Sequence, residues 1–405
     1  MKKHLLFIAF LILYALNSFN PNMMEQFQFI KHYNIFATII RYLLSFSFIL
    51  IPISIYYKDK NASSLLSYVA LPSSIISLFF INEITRHIKY KVYFIIIYVL
   101  LMLYIIGYSL YSLYKYRGKC DKGILKVLLV TAILVIPLNI LACVHVNKHM
   151  IYRIFRTWYF IFLILFFAAA FILYYYLKRK SPSMREKVLF YLSLSLLFHL
   201  LCRFSYVRLH SYQEILDFWG AMPFYVCSFG IVILPFAIIS RNKVFQTFSF
   251  LINTPGSVIV FVNPSMGQTS IFNFDVTYFI VTHLGLFAVA SMLPIYLNAK
   301  VEFKPLVKSI VALFIYFVVI LFINYICFKY LKTDYNFSYV ITPPLPVDVK
   351  IFGIINYKGF KFSPLYILIL WLVHVAISYI TYLIYKYIIL KKINNNNELL
   401  EVRNC

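Results

Sequence analysis

The sequence predicts an all-α polytopic membrane protein of about twelve transmembrane helices, arranged as two parallel six-helix repeats. Three observations predict it. The 405 residues are 62% hydrophobic and only 13% charged, with a mean hydropathy of +0.83. A soluble domain could not cover that much apolar surface with so few charges. Apolar runs long enough to cross a bilayer recur from one end of the chain to the other. The chain also resembles itself at a shift of 183 positions.

The apolar runs place spans at 4–19, 35–57, 63–83, 92–114, 124–145, 152–177, 186–206, 218–239, 244–263, 275–298, 305–330 and 364–390. The longest connection, 331–363, leaves no room for a soluble domain of ordinary size. The first run follows Lys2 and Lys3, as a signal peptide would. No A-x-A-like site follows it in "LNSFNPN", so it is read as a span.

A net charge of +25 would suit nucleic acid, but the cations sit in short connections between spans, where they meet lipid headgroups. Alternate connections carry most of them: Lys58 and Lys60, Lys115 to Lys122, Lys178 to Lys187, Arg241 and Lys243, Lys300 and Lys304, Lys391 and Lys392. The positive-inside rule then puts both termini in the cytoplasm and the chain in the cell membrane. Arg86, Lys89 and Lys91 are the exceptions. The expected partners are membrane lipids, not nucleic acid. The six cysteines fall mostly within spans or on the inside and do not suggest a disulfide framework.

At the shift of 183, residues 42–76 lie over 225–259 without a gap, and nine of 35 positions are identical. Shared apolar bias produces some of these matches. Pro52/Pro235, Pro72/Pro255 and Lys60/Lys243 in one register are harder to attribute to it. Asn139 likewise sits where Asn324 does in the following helix. The repeat divides the chain into an N-terminal membrane half, 1–180, a C-terminal membrane half, 181–392, and a cytoplasmic tail, 393–405. The halves differ where chemistry could reside. Leu44 stands in the place of Cys227, and Tyr98 falls opposite His283 if two residues are inserted.

Ionisable groups inside a membrane are costly and point to function by default. At 1.5 Å per residue, Cys227 falls roughly 14 Å below the outer end of its span, and His283 roughly 12 Å below that of its own. His199, Arg203, Asn263 and Asn324 lie toward the same side in the second half. Each has an ordinary explanation. A lone Cys in a span is most often an apolar filler. A lone His often bonds a carbonyl of a neighbouring helix, and His374 is assigned to that class. Arg203 can snorkel to headgroups. Cys and His at one depth are more specific, because an imidazole can take the proton that keeps a thiol unreactive. The sequence holds no P-loop, G-x-G-x-x-G, G-x-S-x-G or H-E-x-x-H, and no Cys/His spacing that suggests a metal. No metal or other cofactor is expected.

The stretches "MPFYVCSF" (222–229), "TPGSVIVFVNP" (254–264), "YFIVTHLGL" (278–286) and "FINYICFKYLKTDYNFSYVITPP" (322–344) occur in order. Over about 185–392 the chain resembles the bacterial YwaF-like integral membrane family, related to the transmembrane-protein-164 family. The resemblance implies a compact unit of six or seven helices in which Cys227 and His283 are functional, and it implies thiol-dependent acyl transfer between lipids. The chain has Tyr225 where family members often carry His, and Asp334-Tyr335 where they often read Asn-Tyr.

These features together lead to the expectation of a lipid acyltransferase. Cys227 is its nucleophile and His283 its base, with Arg203, Tyr225, Asn263 and Asn324 around the substrate. A secondary transporter of six plus six helices and a non-catalytic membrane scaffold are the alternatives.

Overall fold

A computed structural model describes residues 2–18, 35–79, 81, 91–116, 123–136, 164–165, 167–210, 222–260, 274–297, 301–332, 335–341 and 353–389. The helices follow the apolar runs. They are α1 (Lys2–Ser18), α2 (Ile35–Tyr57), α3 (Lys60–Phe79), α4 (Lys91–Tyr116), α5 (Ile124–Leu134) and α6 (Phe167–Lys178). The second half adds α7 (Pro182–His210), α8 (Val226–Ser240), α9 (243–259), α10 (Phe274–Tyr296), α11 (Phe303–Leu331) and α12 (Pro364–Ile384). Six of them, α2, α3, α4, α10, α11 and α12, are long and apolar enough to cross a membrane.

Exposure supports the same reading. On α11, Val311, Ile315, Val318, Val319 and Phe322 lie outward. Their spacing of three and four residues makes one apolar face. In water such a face would drive aggregation, whereas in a bilayer it meets acyl chains.

The chain forms two compact units. Unit 1 holds 1–159, 187–221 and 266–282; unit 2 holds 160–186, 222–265 and 283–405. This partition follows packing and cuts across the two sequence halves.

In unit 1 an aromatic core joins α1, α2 and α7. Phe7, Phe10, Phe48, Phe190 and Phe198 are each within 1% of complete burial, and Tyr14 packs 4.6 Å from Phe48. Tyr104 on α4 donates to the Leu6 carbonyl at 2.9 Å, tying α4 to α1. Asp59 caps α3 by accepting from the Ala62 amide and pairs with Lys187 of α7.

In unit 2, α9 packs against α8 and α11, with α12 against its middle. Asn242 caps α9, accepting from the Val244 and Phe245 amides. Trp371 of α12 donates to the Ile310 carbonyl of α11 at 3.0 Å.

Two details depart from expectation. The eighth span was expected from residue 218, but the helix begins at Val226. Residues 222–225, with Pro223, are not helical. Cys227 is therefore the second residue of its helix and not two to three turns into it. The connection 331–363 also carries a hairpin, β1 (Ile355–Tyr357) paired with β2 (Phe360–Phe362). Lys358 and Gly359, both with positive φ, make its tight turn. Phe360 packs on Tyr325 and Phe328 at the end of α11.

Candidate functional site

The start of α8 is held in place by its surroundings in unit 2. The Phe224 carbonyl accepts from the Tyr316 hydroxyl at 2.8 Å and from the Ser338 hydroxyl at 2.6 Å. Tyr225, the residue before the first helical turn, packs 6.0 Å from Phe337 and 5.7 Å from Tyr339. Phe229, one turn further on, stacks on Tyr316 with ring centroids 4.7 Å apart.

The segment 335–341 forms a collar around this point. Asn324 of α11, fully buried, accepts from the Phe337 amide at 3.1 Å and donates to the Phe337 carbonyl. Tyr366 of α12 donates to the Tyr339 carbonyl at 2.9 Å, and Asn336 accepts from the Ile341 amide. Ser338 and Tyr339 both have positive φ, 53° and 55°. Side chains with a Cβ adopt that conformation at a cost of about 1–2 kcal/mol each, and such strain clusters at functional sites.

Cys227, two residues after the packed Tyr225, is a half-buried thiol that is not in a disulfide. The first regular amide bond of α8 runs from Phe229 to the Tyr225 carbonyl. The amides of Val226, Cys227 and Ser228 therefore have no acceptor within the helix, and they form its positive end.

The other expected site residues divide as follows. His283 is buried on α10 and belongs to unit 2, as Cys227 does. Asn324 was expected to meet substrate, but its amide is engaged at both ends by Phe337, so it fixes the collar. Arg203 belongs to unit 1, where its guanidinium lies 5.1 Å over the Tyr278 ring. Asn263, like Asn139, lies outside the described residues. His199 is a core histidine bonded to the Ser195 and Ile136 carbonyls, and His374 bonds Leu370 and packs edge-on against Phe317. Among the described residues, no group of three or more His, Cys, Asp or Glu could hold a metal.

Sequence reasoning missed Tyr316, Ser338 and Tyr366, because the carbonyls they bind are 27 to 114 positions away. The quoted stretch 322–344 contained the collar, but nothing in its composition announced the contacts.

The profile of the TMEM164 family matches residues 151–385. No curated protein and no solved structure matches the chain. The family match spans more than half of the sequence and takes in α8 with Cys227, His283, and the Asn324-anchored collar, so the chain belongs to the TMEM164 family.

Proposed function

We propose that this membrane protein is a thiol-dependent lipid acyltransferase with Cys227 as its nucleophile. The observation that carries the proposal is Cys227 in the first turn of α8, with the carbonyl just before that turn strapped by Tyr316 and Ser338. A thiol reacts as its thiolate, and a helix N-terminus favours negative charge. The first-turn amides of such a helix start suit the oxyanion of a tetrahedral intermediate.

In the proposed reaction His283 takes the Cys227 proton, and the sulfur attacks the acyl carbonyl of a lipid ester. The C–O bond breaks, the lyso-lipid oxygen receives the proton from His283, and a thioester remains on Cys227. An acceptor hydroxyl then gives its proton to His283 and attacks the thioester, which releases the acylated acceptor and restores the thiol. The resemblance to families associated with such transfer supports the same assignment.

The proposal includes twelve spans, two parallel repeats and cytoplasmic termini, supported by the charge pattern and by elements that recur at the shift of 183. A transporter of six plus six helices is the second proposal, and that recurrence favours it.

A lipid-soluble thiol electrophile separates them. Under the enzyme proposal it labels Cys227 faster than Cys202 and Cys327, and His283→Ala slows that labelling. A transporter predicts equal, slow labelling of all three, indifferent to His283.

A further inference from the structure

One face of α9 carries polar side chains that the protein leaves without partners. Gln246 Nε2, Ser249 Oγ, Asn253 Oδ1 and Nδ2, Thr254 Oγ1 and Ser257 Oγ are buried and make no hydrogen bond. Gln246, Ser249, Asn253 and Ser257 are between 0 and 4% exposed. Residues 246, 249, 253 and 257 recur every three or four positions, which puts them on one side of the helix. The π-helical turn Ser249–Asn253 keeps its two ends close to one line along the axis. From Gln246 to Ser257 the row runs about 16 Å.

Hydroxyls and amides buried in a membrane protein find partners, because no bulk water is present to take their place. The matching row in the first half obeys this. Ser63, at the place of Gln246, bonds Ser54 and the Asp59 carbonyl. Ser74, at the place of Ser257, bonds Leu71. Leu66, Ala70 and Leu71 stand for Ser249, Asn253 and Thr254. The residue facing Gln246 by the same register is Ala237 where the first half has Ser54, so the direct pair is lost.

We propose that this face of α9 binds a row of water molecules, a hydrated path inside unit 2. Burial decides the occupant. Side chains this enclosed admit neither a lipid nor another protein, and water is the ligand small enough that both donates and accepts. The row reaches the level of the thiol. A Cβ on Gly230 would fall 2.3 Å from Asn253 Oδ1, so α8 and α9 meet at these two residues. The helices are joined through Arg241 and Asn242 alone and pack along each other, so they run in opposite directions. One turn toward the start of α8 is Cys227, and one turn toward the end of α9 is Ser257. The proposal does not depend on acyl transfer, since the water is held whether or not Cys227 reacts.

X-ray hydroxyl-radical labelling of the unsubstituted protein in lipid nanodiscs tests it, because radicals made from bound water oxidise the side chains beside it. Corrected for intrinsic reactivity, 244–259 is expected to oxidise several-fold faster than 61–76. Asn253→Leu should bring 244–259 down toward the first-half rate. Equal protection of the two stretches in the unsubstituted protein overturns the proposal. So does a folded Asn253→Leu protein with unchanged labelling. If Asn253→Leu does not fold, the comparison within the unsubstituted protein decides.

Discussion

Residues 35–79 and 226–259 have the same local architecture and opposite chemistry. Their helices end and restart at the same register. α2 stops at Tyr57 and α8 at Ser240, 183 positions apart, and Lys58 and Arg241 follow with φ of 49° and 52°. Asp59 and Asn242 then cap the next helix. Both second helices run six residues before a π-helical turn, Leu66–Ala70 in one and Ser249–Asn253 in the other. Pro52 and Pro235 lie inside the first helix of each. A π turn is rare and costs regular hydrogen bonding. Two at one register, each following the same cap and the same turn, give the two stretches the same local backbone plan.

The side chains on that plan diverge. In unit 1, Leu44 and Ser45 line a cavity of about 20 Å³ with Tyr14, Asn17, Arg41, Tyr98 and Leu101, room for about one water. In unit 2 the same two positions are Cys227 and Ser228, at the strapped start of α8. The first half has a buried arginine where the second has Phe224, and an aliphatic group where the second has a thiol. The backbone is thus separable from the chemistry placed on it, and substitutions at matched positions can test that separation.

The largest effect is expected at the thiol. Cys227→Ser should lower acyl transfer by about 10⁴-fold or more, as removal of a covalent nucleophile does elsewhere. Leu44→Cys, the same change of chemistry in the first half, should give a thiol that the electrophile labels no faster than Cys202. If Leu44→Cys is labelled as fast as Cys227, the backbone plan alone makes the reactivity and the surroundings of α8 contribute nothing.

Next comes the helix contact. In the second half Gly230 lies against Asn253, and at the matching positions the first half has Ser47 and Ala70, a larger residue in place of the glycine and a smaller one in place of the asparagine. Gly230→Ser should therefore drive its side chain into Asn253 and cost about 1–3 kcal/mol. Adding Asn253→Ala should recover most of that loss, measured by thermal unfolding in detergent. Additive losses would mean that Gly230 and Asn253 do not share a contact.

The helices of this fold were legible in the sequence because hydropathy reports on the membrane directly. The starts of α2, α5 and α12 were placed at the observed residues, 35, 124 and 364. The start of α8 was not, because Phe218, Trp219, Ala221 and Met222 are apolar whether or not they are helical. Hydropathy cannot separate a helix from an apolar lead-in. The ungapped register at 183 was visible as identities, but the π turns were not, since none of their ten residues is identical between the halves. Within the site, Cys227 stood out by type. Its neighbours Tyr316 and Ser338 did not, because a tyrosine in a span that holds a distant carbonyl looks like any other tyrosine.

The collar gives a smaller effect that bears on the second half alone. Asn324→Ala removes both bonds to Phe337 and leaves its buried amide without the Asn324 acceptor, while the carbonyl keeps the Val340 amide. The expected cost is about 1–3 kcal/mol. Because the collar straps the α8 start, labelling of Cys227 should also change while that of Cys327 stays as it was. A stability loss with no change at Cys227 would show that the collar and the thiol are independent.

The smallest effect is expected at the caps, and it isolates charge from geometry. Asp and Asn cap helices about equally well, so Asp59→Asn and Asn242→Asp both keep the bond to the helix amides. They differ in what the charge meets. Asp59 also pairs with Lys187, in a setting where the side chains are only 12% and 19% exposed. Asp59→Asn leaves that ammonium without its carboxylate, and a loss of about 1 kcal/mol is expected, the upper end for a pair that water still reaches. In the second half the neighbouring cations are already served, Arg241 by Glu186 and Lys243 by Glu302. Asn242→Asp therefore adds a charge that no pair awaits, and its effect should stay within about 0.5 kcal/mol. Unfolding of both variants at low and high salt checks the assignment, since screening should shrink the Asp59→Asn loss and leave Asn242→Asp where it was. Equal losses at the two caps would mean that the Lys187 pair adds nothing to a cap that geometry alone secures.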